Sequence, residues 1–434
     1  MKSKVRIALA GFGVVGGGTH QLLREHKADV ESRVGAPVEL KWLLSRKKKP
    51  ALLVGAGVRQ TTNWRDLVND PEVDCIVELM GGTEPARSLM VEALRAGKHI
   101  VTANKAVLSK HWNEIFGLAQ ARHKLVYFEA AVGGGVPIVQ ALNEGLAGNR
   151  IRKIVGILNG TTNYILTRMQ EANLPYATAL KEAKAAGFAE ADPTFDIEGI
   201  DAAQKLSILA SLAAGVWISP EHVHCEGISR VHDIDIRLIQ ERLRSVVKLL
   251  AIAESSEKGW ILRVHPTLVP RKHPFANVRN EYNAVALHGN AAGDVMLYGK
   301  GAGRLPTSSA VLSDIIFLCR QIANGTAGEL PYVTCPPHRK ATIAPFEQLS
   351  AKYYLRVTTL DKPGVLARVT GILGRNNVSI ASVYQDTFDS PATRRSVPIV
   401  LLTHQTREAD IAASVRAIDA LPSIRAKTVV LRME

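Results

Sequence analysis

Along the first 130 residues, short unbroken apolar runs alternate with longer stretches whose apolar positions recur every three to four residues. The runs at 5–10 (VRIALA), 38–45 (VELKWLLS), 74–80 (DCIVELM), 99–103 (HIVTA) and 125–130 (LVYFEA) have the length and composition of buried strands. Between them, THQLLREH (19–26), NWRDLVN (63–69), PARSLMVEALRAG (85–97) and AVLSKHWNEIFGLAQARH (106–123) carry the helical period. Strand–helix alternation predicts a doubly wound parallel sheet with ligands at the carboxyl ends of its strands.

The pattern changes after Glu129, at the glycine-dense turn AAVGGGVP (130–137). A strand (IRKIVGIL, 151–158), a polar turn from Asn159 to Asn163 and a helix follow, then the stretch EADPTFDIEGIDAAQK (190–205), whose second half is helical. Strands such as WILRVHPTLV (260–269) and VALHG (285–289) mark an α+β region that extends to about residue 305. The helical TSSAVLSDIIFLCRQ (307–321), after Gly299, Gly301 and Gly303, is expected to return and cover the first sheet. Residues 330–349 (LPYVTCPPHRKATIAPFEQL) are proline-rich and poor in pattern, which reads as a linker. Beyond them a β-α-β-β-α-β order predicts a ferredoxin-like unit. The expected domains are 1–130, completed by about 306–328; 131–305; a linker at 329–350; and 351–434.

The first strand runs straight into Gly11-Phe12-Gly13-Val14-Val15-Gly16 and then a helix. In that context G-x-G-x-x-G indicates a dinucleotide site, because the glycines let the backbone approach a pyrophosphate resting on the helix N-terminus. A glycine-rich turn without a ligand is the alternative. An NAD enzyme would place an acid at the end of the second strand; here that end carries Ser45-Arg46-Lys47, and Glu39 lies too early. A cation there suits a 2′-phosphate, so NADP is favoured over NAD, with Arg46 the first candidate and Lys47 the second. Arg46 as an ordinary surface charge stays open. The loops Gly81-Gly82-Thr83-Glu84 and Thr102-Ala103-Asn104-Lys105 fall at carboxyl ends of strands, which places Lys105 near the nicotinamide half of the cofactor.

At 434 residues the chain is long enough for two or three domains, and 46% hydrophobic with 22% charged residues is ordinary for a soluble globular protein. No apolar run approaches the roughly 20 residues of a membrane span, and MKSKVRIALA leads into glycines rather than a cleavage site, so a cytoplasmic protein is expected. The net charge of +14 admits nucleic acid, membrane or small anions as partners. Its one dense run, Arg46-Lys47-Lys48-Lys49, has no interleaved aromatics, which favours small anions over nucleic acid. Cys75, Cys225, Cys319 and Cys335 are widely spaced and read as reduced thiols. His222, His224 and Cys225 read as polar surface more readily than as metal ligands.

Within this basic chain, 190–205 gathers Glu190, Asp192, Asp196, Glu198 and Asp201 before the first basic residue, Lys205. Asp201 and Lys205 lie at i and i+4 on one helix face. One reading is an acidic helix start with a surface ion pair. The other is a pocket whose carboxylates bind a cationic group while Lys205 moves a proton.

Together these residues resemble homoserine dehydrogenase with a C-terminal ACT domain: GFGVVGG (11–17), TANKA (102–106), EAAVGGGVP (129–137), NGTTNYIL (159–166), GFAEADPTFDIEGIDAAQKL (187–206) and LDKPGVLARV (360–369) occur in order. The resemblance implies a Rossmann-type domain, an α+β catalytic and dimerisation domain and a ferredoxin-like ACT domain. The implied reaction interconverts L-homoserine and L-aspartate 4-semialdehyde with NADP or NAD in threonine, methionine and isoleucine biosynthesis. It carries the proton donor onto Lys205, a nicotinamide-side lysine onto Lys105, and substrate binding onto Glu190, Asp196, Asp201 and the backbone of Gly187. Cofactor contacts carry over onto Phe12, Gly13, Val14, Val15, Arg46, Lys105 and Gly303, and a sodium ion onto Glu129, Val132, Gly134 and Val136. Asp192 and Glu198 fall back to turn and surface roles. Gln204 departs from the family, where His or Arg is common. Asp361-Lys362-Pro363-Gly364 and Asn376-Asn377 are expected effector contacts, with threonine the expected inhibitor of a homodimer or homotetramer. The alternatives are another Rossmann dehydrogenase of amino-acid metabolism, or a non-enzymatic nucleotide and amino-acid sensor, which would have no use for both Lys105 and Lys205.

Overall fold

A computed structural model describes residues 2–334, 339–385 and 396–434; Cys335 lies outside them. The chain divides into two compact units, Met1–Gly160 with Asp201–Val223 and Glu281–Ala341, and Thr161–Ile200 with His224–Asn280 and Thr342–Glu434.

In the first unit, β1 (Val5–Ala10), β2 (Val38–Leu44), β3 (Arg59–Thr61), β4 (Cys75–Glu78), β5 (His99–Thr102) and β6 (Val126–Tyr127) form a parallel sheet in the order β3-β2-β1-β4-β5-β6. That order is the doubly wound dinucleotide-binding topology, with its switch point beside β1. Ile7, Leu9, Leu43, Cys75, Val77 and Val101 share one core with Val311, Ile315, Leu318 and Cys319 of the Arg304–Asn324 helix. That helix packs so tightly on the Val14–Glu25 helix that a Cβ on Gly18 would sit 2.4 Å from Ser308 Oγ. The last strand is shorter than its apolar run suggests. Its chain breaks into a 3-10 turn at Glu129–Ala131, where the Glu129 amide donates to Asp314 Oδ2 at 2.8 Å.

Ile151–Ile157, Tyr282–Gly289 and Gly293–Lys300 make an antiparallel trio in the same unit. The Ile200–Ala214 helix buries an unbroken run from Asp201 to Ser211 apart from Lys205.

The second unit opens on the Gly160–Glu171 helix, so residues 159–163 are its entry and first turn and not the polar turn expected. Their polar atoms have partners: Thr161 Oγ1 donates to Phe188 O at 2.6 Å, and Asn163 Nδ2 donates to the carbonyls of Val278 and Asn280. Ser245–Ser256 and Gly259–Pro270, twelve residues each, pair along their whole length as an antiparallel hairpin. At the C-terminus, the strands Ser350–Leu360, Ile380–Tyr384, Ser396–Thr403 and Val429–Met433 are ordered fourth, first, third, second, with the Val365–Arg375 and Glu408–Asp419 helices supplying a shared core: the expected ferredoxin-like arrangement.

This C-terminal sheet is joined to the rest of its unit. Val429–Met433 runs parallel to Gly259–Pro270, pairing Thr267 with Arg432. Buried Arg432 donates to Glu408 and to Glu226, and Arg356 with Tyr354 donates to Asp235, which is fully buried. The proline-rich segment contributes too: the Trp260 amide donates to Thr342 O and the Ala344 amide to Trp260 O. Among the described residues no helix is long and apolar enough to cross a membrane.

Candidate functional site

The glycine loop shows why glycine is needed at two of its positions. Gly11 has φ +106° and a Cβ there would lie 2.5 Å from Leu79 O; a Cβ on Gly16 would lie 2.0 Å from Gly11 O. Gly13, between them, faces open space and caps the Val14–Glu25 helix without a side-chain partner, leaving first-turn amides for an anion. Val14 is 68% exposed there. A cavity of about 710 Å³ opens over the loop, lined by Phe12, Gly13, Val14, Gly17, Lys49 and Arg304 among others. These features fit a dinucleotide: a tight turn, an uncapped helix start and cations at the rim.

Ser45 Oγ donates to Lys47 O just past β2, and Arg46 and Lys47 are both exposed at that strand's carboxyl end. Glu39 lies near the strand's start, tied to Lys4 and Arg6. Lys49 and Arg304 were not singled out from sequence. Lys49 reaches back so that its ammonium lies 6.0 Å from the Phe12 ring centre, and Arg304 follows Gly303, whose φ of +120° turns the chain into its helix.

Lys105 begins the helix after β5. Asn104 caps it, accepting from the Val107 amide and donating to Gly82 O at 2.8 Å, which ties the two loops together. Beneath them Thr102 Oγ1 donates to Glu78, whose carboxyl is raised by burial.

The centre of the unit is one buried carboxylate between two lysines. Lys205 Nζ donates to Asp201 Oδ2 at 2.7 Å and to Leu158 O at 2.8 Å; Lys105 Nζ lies 3.3 Å from Asp201 Oδ1; Asn159 Nδ2 donates to Oδ2 at 2.9 Å. Asp201 is 4% exposed. Burial opposes its ionisation, but Lys205 and then Lys105 outweigh it and hold the carboxyl at about 2. The carboxylate therefore stays charged and balances both ammoniums. Gln204 is buried beside it, with its Oε1 unpaired among the described residues.

Glu190, Asp196 and Gly187 belong to the second unit. Glu190 is exposed, Gly187 turns the chain at φ +75°, and Asp196 Oδ2 accepts from Thr161 Oγ1 at 3.3 Å. Asp192 accepts from the Thr194 amide and hydroxyl, a local turn. His224 pairs with Glu226 and stacks on Phe346 at 3.6 Å.

In the 129–136 turn, Gly134 is left-handed and a Cβ there would lie 2.4 Å from Gly301 O. The Glu129 carboxylate accepts from the Val139 and Gln140 amides; burial lifts it to about 7. Beside it Asp314 is fully buried with Oδ1 unpaired among the described residues. Two buried acids and the carbonyls of a tight turn fit a small hard cation.

Family models match the chain at residues 11–129 (homoserine dehydrogenase, NAD binding domain), 137–316 (homoserine dehydrogenase) and 353–422 (ACT domain). A homoserine dehydrogenase from Neisseria gonorrhoeae is 41% identical, covering 99% of this chain and 98% of that protein. The crystal structure of a homoserine dehydrogenase from Thiobacillus denitrificans superposes with a TM-score of 0.93 at 42% identity, covering 99% of this chain and 98% of that one. A hyperthermophilic archaeal homoserine dehydrogenase in complex with NADPH matches 72% of this chain and 97% of its own, with TM-score 0.61 and 29% identity. This chain belongs to the homoserine dehydrogenase family, nicotinamide-dependent oxidoreductases acting on a CH–OH group, and carries that family's catalytic domains together with an ACT domain.

Proposed function

We propose that the chain interconverts L-homoserine and L-aspartate 4-semialdehyde with Lys205 as the proton-transferring group and a preference for NADP. The observation that carries this is the Lys105–Asp201–Lys205 arrangement. An ammonium has three N–H bonds, and Lys205 commits two, to Asp201 Oδ2 and Leu158 O. The third is left to meet a substrate oxygen. The bound nicotinamide supplies or accepts the hydride at the carbon that carries that oxygen. In the reductive direction Lys205 Nζ gives its proton to the forming alkoxide, and in the oxidative direction it takes the hydroxyl proton. Asp201 orients Lys205 and holds the Lys105 ammonium beside it.

Glu190 is proposed to hold the substrate ammonium, Asp196 and Asp201 its further polar contacts, with Gly187 contributing backbone. Phe12, Gly13, Val14, Val15 and Gly303 frame the cofactor, and Arg46 and Lys47 meet the 2′-phosphate; Lys49 and Arg304 are added to that rim. Glu129 with the carbonyls of Val132, Gly134 and Val136 is proposed to hold sodium, where a cation would neutralise the acids crowded around Asp314. The ACT domain is proposed to bind L-threonine at Asp361–Gly364 and Asn376–Asn377 and so restrain flux toward threonine, methionine and isoleucine, in a cytoplasmic homodimer or homotetramer.

One assay tests the activity, the cofactor preference and the effector: nicotinamide absorbance with L-homoserine and NADP, then NAD, each with and without L-threonine. Turnover with a lower KM for NADP, depressed by threonine, is expected. No turnover with either cofactor contradicts the activity; equal KM values contradict the role of Arg46 and Lys47; indifference to threonine contradicts the effector.

A further inference from the structure

Lys248 lies in the Ser245–Ser256 strand and is 2% exposed. Its Nζ donates to Asn163 Oδ1 at 3.0 Å and to Val278 O at 2.5 Å. Both acceptors are neutral, and among the described residues no carboxylate lies within ion-pair distance of it. A buried ammonium without a counter-charge is costly, so native proteins supply an anion or let the group lose its proton. Burial, with Arg279 adding to it and the more distant Glu171 opposing it, brings Lys248 down to about 8. At neutral pH it still carries its charge.

Lys248 lines a cleft of about 330 Å³ together with Gln170, Glu171, Gln240, Arg271 and Arg279. Glu171 is the one acid of the lining, and Arg279 already pairs with it at 3.2 Å. Arg271 has no side-chain acceptor among the described residues. Three cations thus face one carboxylate. The walls are fixed: Gln170 is bonded on both amide atoms, to Leu166, to Val247 and by the Val247 amide, and Gln240 Nε2 donates to Gln170 O.

We propose that this cleft binds a phosphate group, with Lys248 at its floor and Arg271 and Arg279 at its rim. Phosphate suits the arrangement because it spreads two charges over several acceptor oxygens, matching one remaining Lys248 N–H and two guanidinium forks. The cleft has room for a small substituent, so either free phosphate or a small phosphomonoester satisfies the chemistry. Lys248 also grips Asn163, two residues along the same helix from Thr161, the donor to Phe188 O and Asp196. Occupancy would therefore stiffen the helix that carries those contacts.

The test is thermal unfolding of the full chain, saturated with NADP to keep phosphate out of the cofactor site. Inorganic phosphate, or glycerol 2-phosphate in a second arm, is titrated against sodium chloride of equal ionic strength. The expected result is a saturable rise in Tm beyond the chloride control, with apparent affinity at least tenfold weaker in Arg271→Glu. A stronger response to glycerol 2-phosphate assigns the site to a phosphomonoester, and an equal or weaker one to free phosphate. Lys248→Met should abolish the response, but Arg271→Glu decides the matter, being a surface change that leaves the core intact. No rise beyond chloride, or an unaltered rise in Arg271→Glu, overturns the proposal.

Discussion

Asp201 shows how much one side chain can organise. Its carboxylate is the shared counter-ion of Lys105 and Lys205, and each lysine is fixed by a different helix. Its pKa in the folded chain is about 2, below the roughly 3.9 of an unfolded aspartate, so the stabilisation it supplies is complete above pH ~4 and is lost as pH falls through ~2. Between pH 6 and pH 3 the loss amounts to about 1 kcal/mol. Denaturant unfolding of the wild type should therefore fall by about that much more than Asp201→Asn over this range, and parallel pH profiles would contradict the assignment. The pair was legible in sequence because i,i+4 spacing is local. Lys105 reaching the same carboxylate was not, since 96 residues separate them and no local rule carries that contact. Lys49 and Arg304 escaped for the same reason: a lysine in a charge run and an arginine at a helix start look like solvated surface until the fold turns both toward Phe12.

At the scale of elements, periodicity served where each element buries one face. Five of the six strands of the first sheet, all but the three-residue edge strand β3, and the six elements of the C-terminal ferredoxin-like fold were visible as apolar runs and helical repeats. It failed where polar residues are buried inside helices. Thr161, Thr162 and Asn163 read as a turn, yet they form a helix start, where tertiary acceptors at Phe188, Val278 and Asn280 take the donors of Thr161 and Asn163. The Ser245–Ser256 strand hides in a mixed run whose lysine points inward. The strand pair Thr267–Arg432 is likewise invisible to local rules, and its energetics rest on Arg432, which neutralises Glu408 and Glu226 together. Arg432→Met leaves two acids partly buried without their cation. It should cost about 3–5 kcal/mol by urea unfolding, whereas a loss under ~1 kcal/mol would show that solvent already screens the cluster.

For the whole molecule, the same contacts bear on how regulation is to be probed. Deleting 351–434 would remove Arg356 from buried Asp235 and Arg432 from Glu226, so lost activity in a truncated chain would report damage to the second unit as readily as a missing sensor. Effector effects belong on the full chain. The excess of positive charge also takes a definite form at this scale: part of it lies at the cofactor rim and part in the Lys248 cleft. Both are proposed as sites for phosphate, in keeping with the expectation of small anions over nucleic acid. The central claim is that Lys205 moves the substrate proton, and it is tested most directly by steady-state homoserine oxidation with Lys205→Arg, which keeps a cation that cannot be deprotonated at working pH. A kcat lowered by at least about 100-fold, with NADP affinity unchanged, is the predicted result; turnover close to that of the wild type would contradict it.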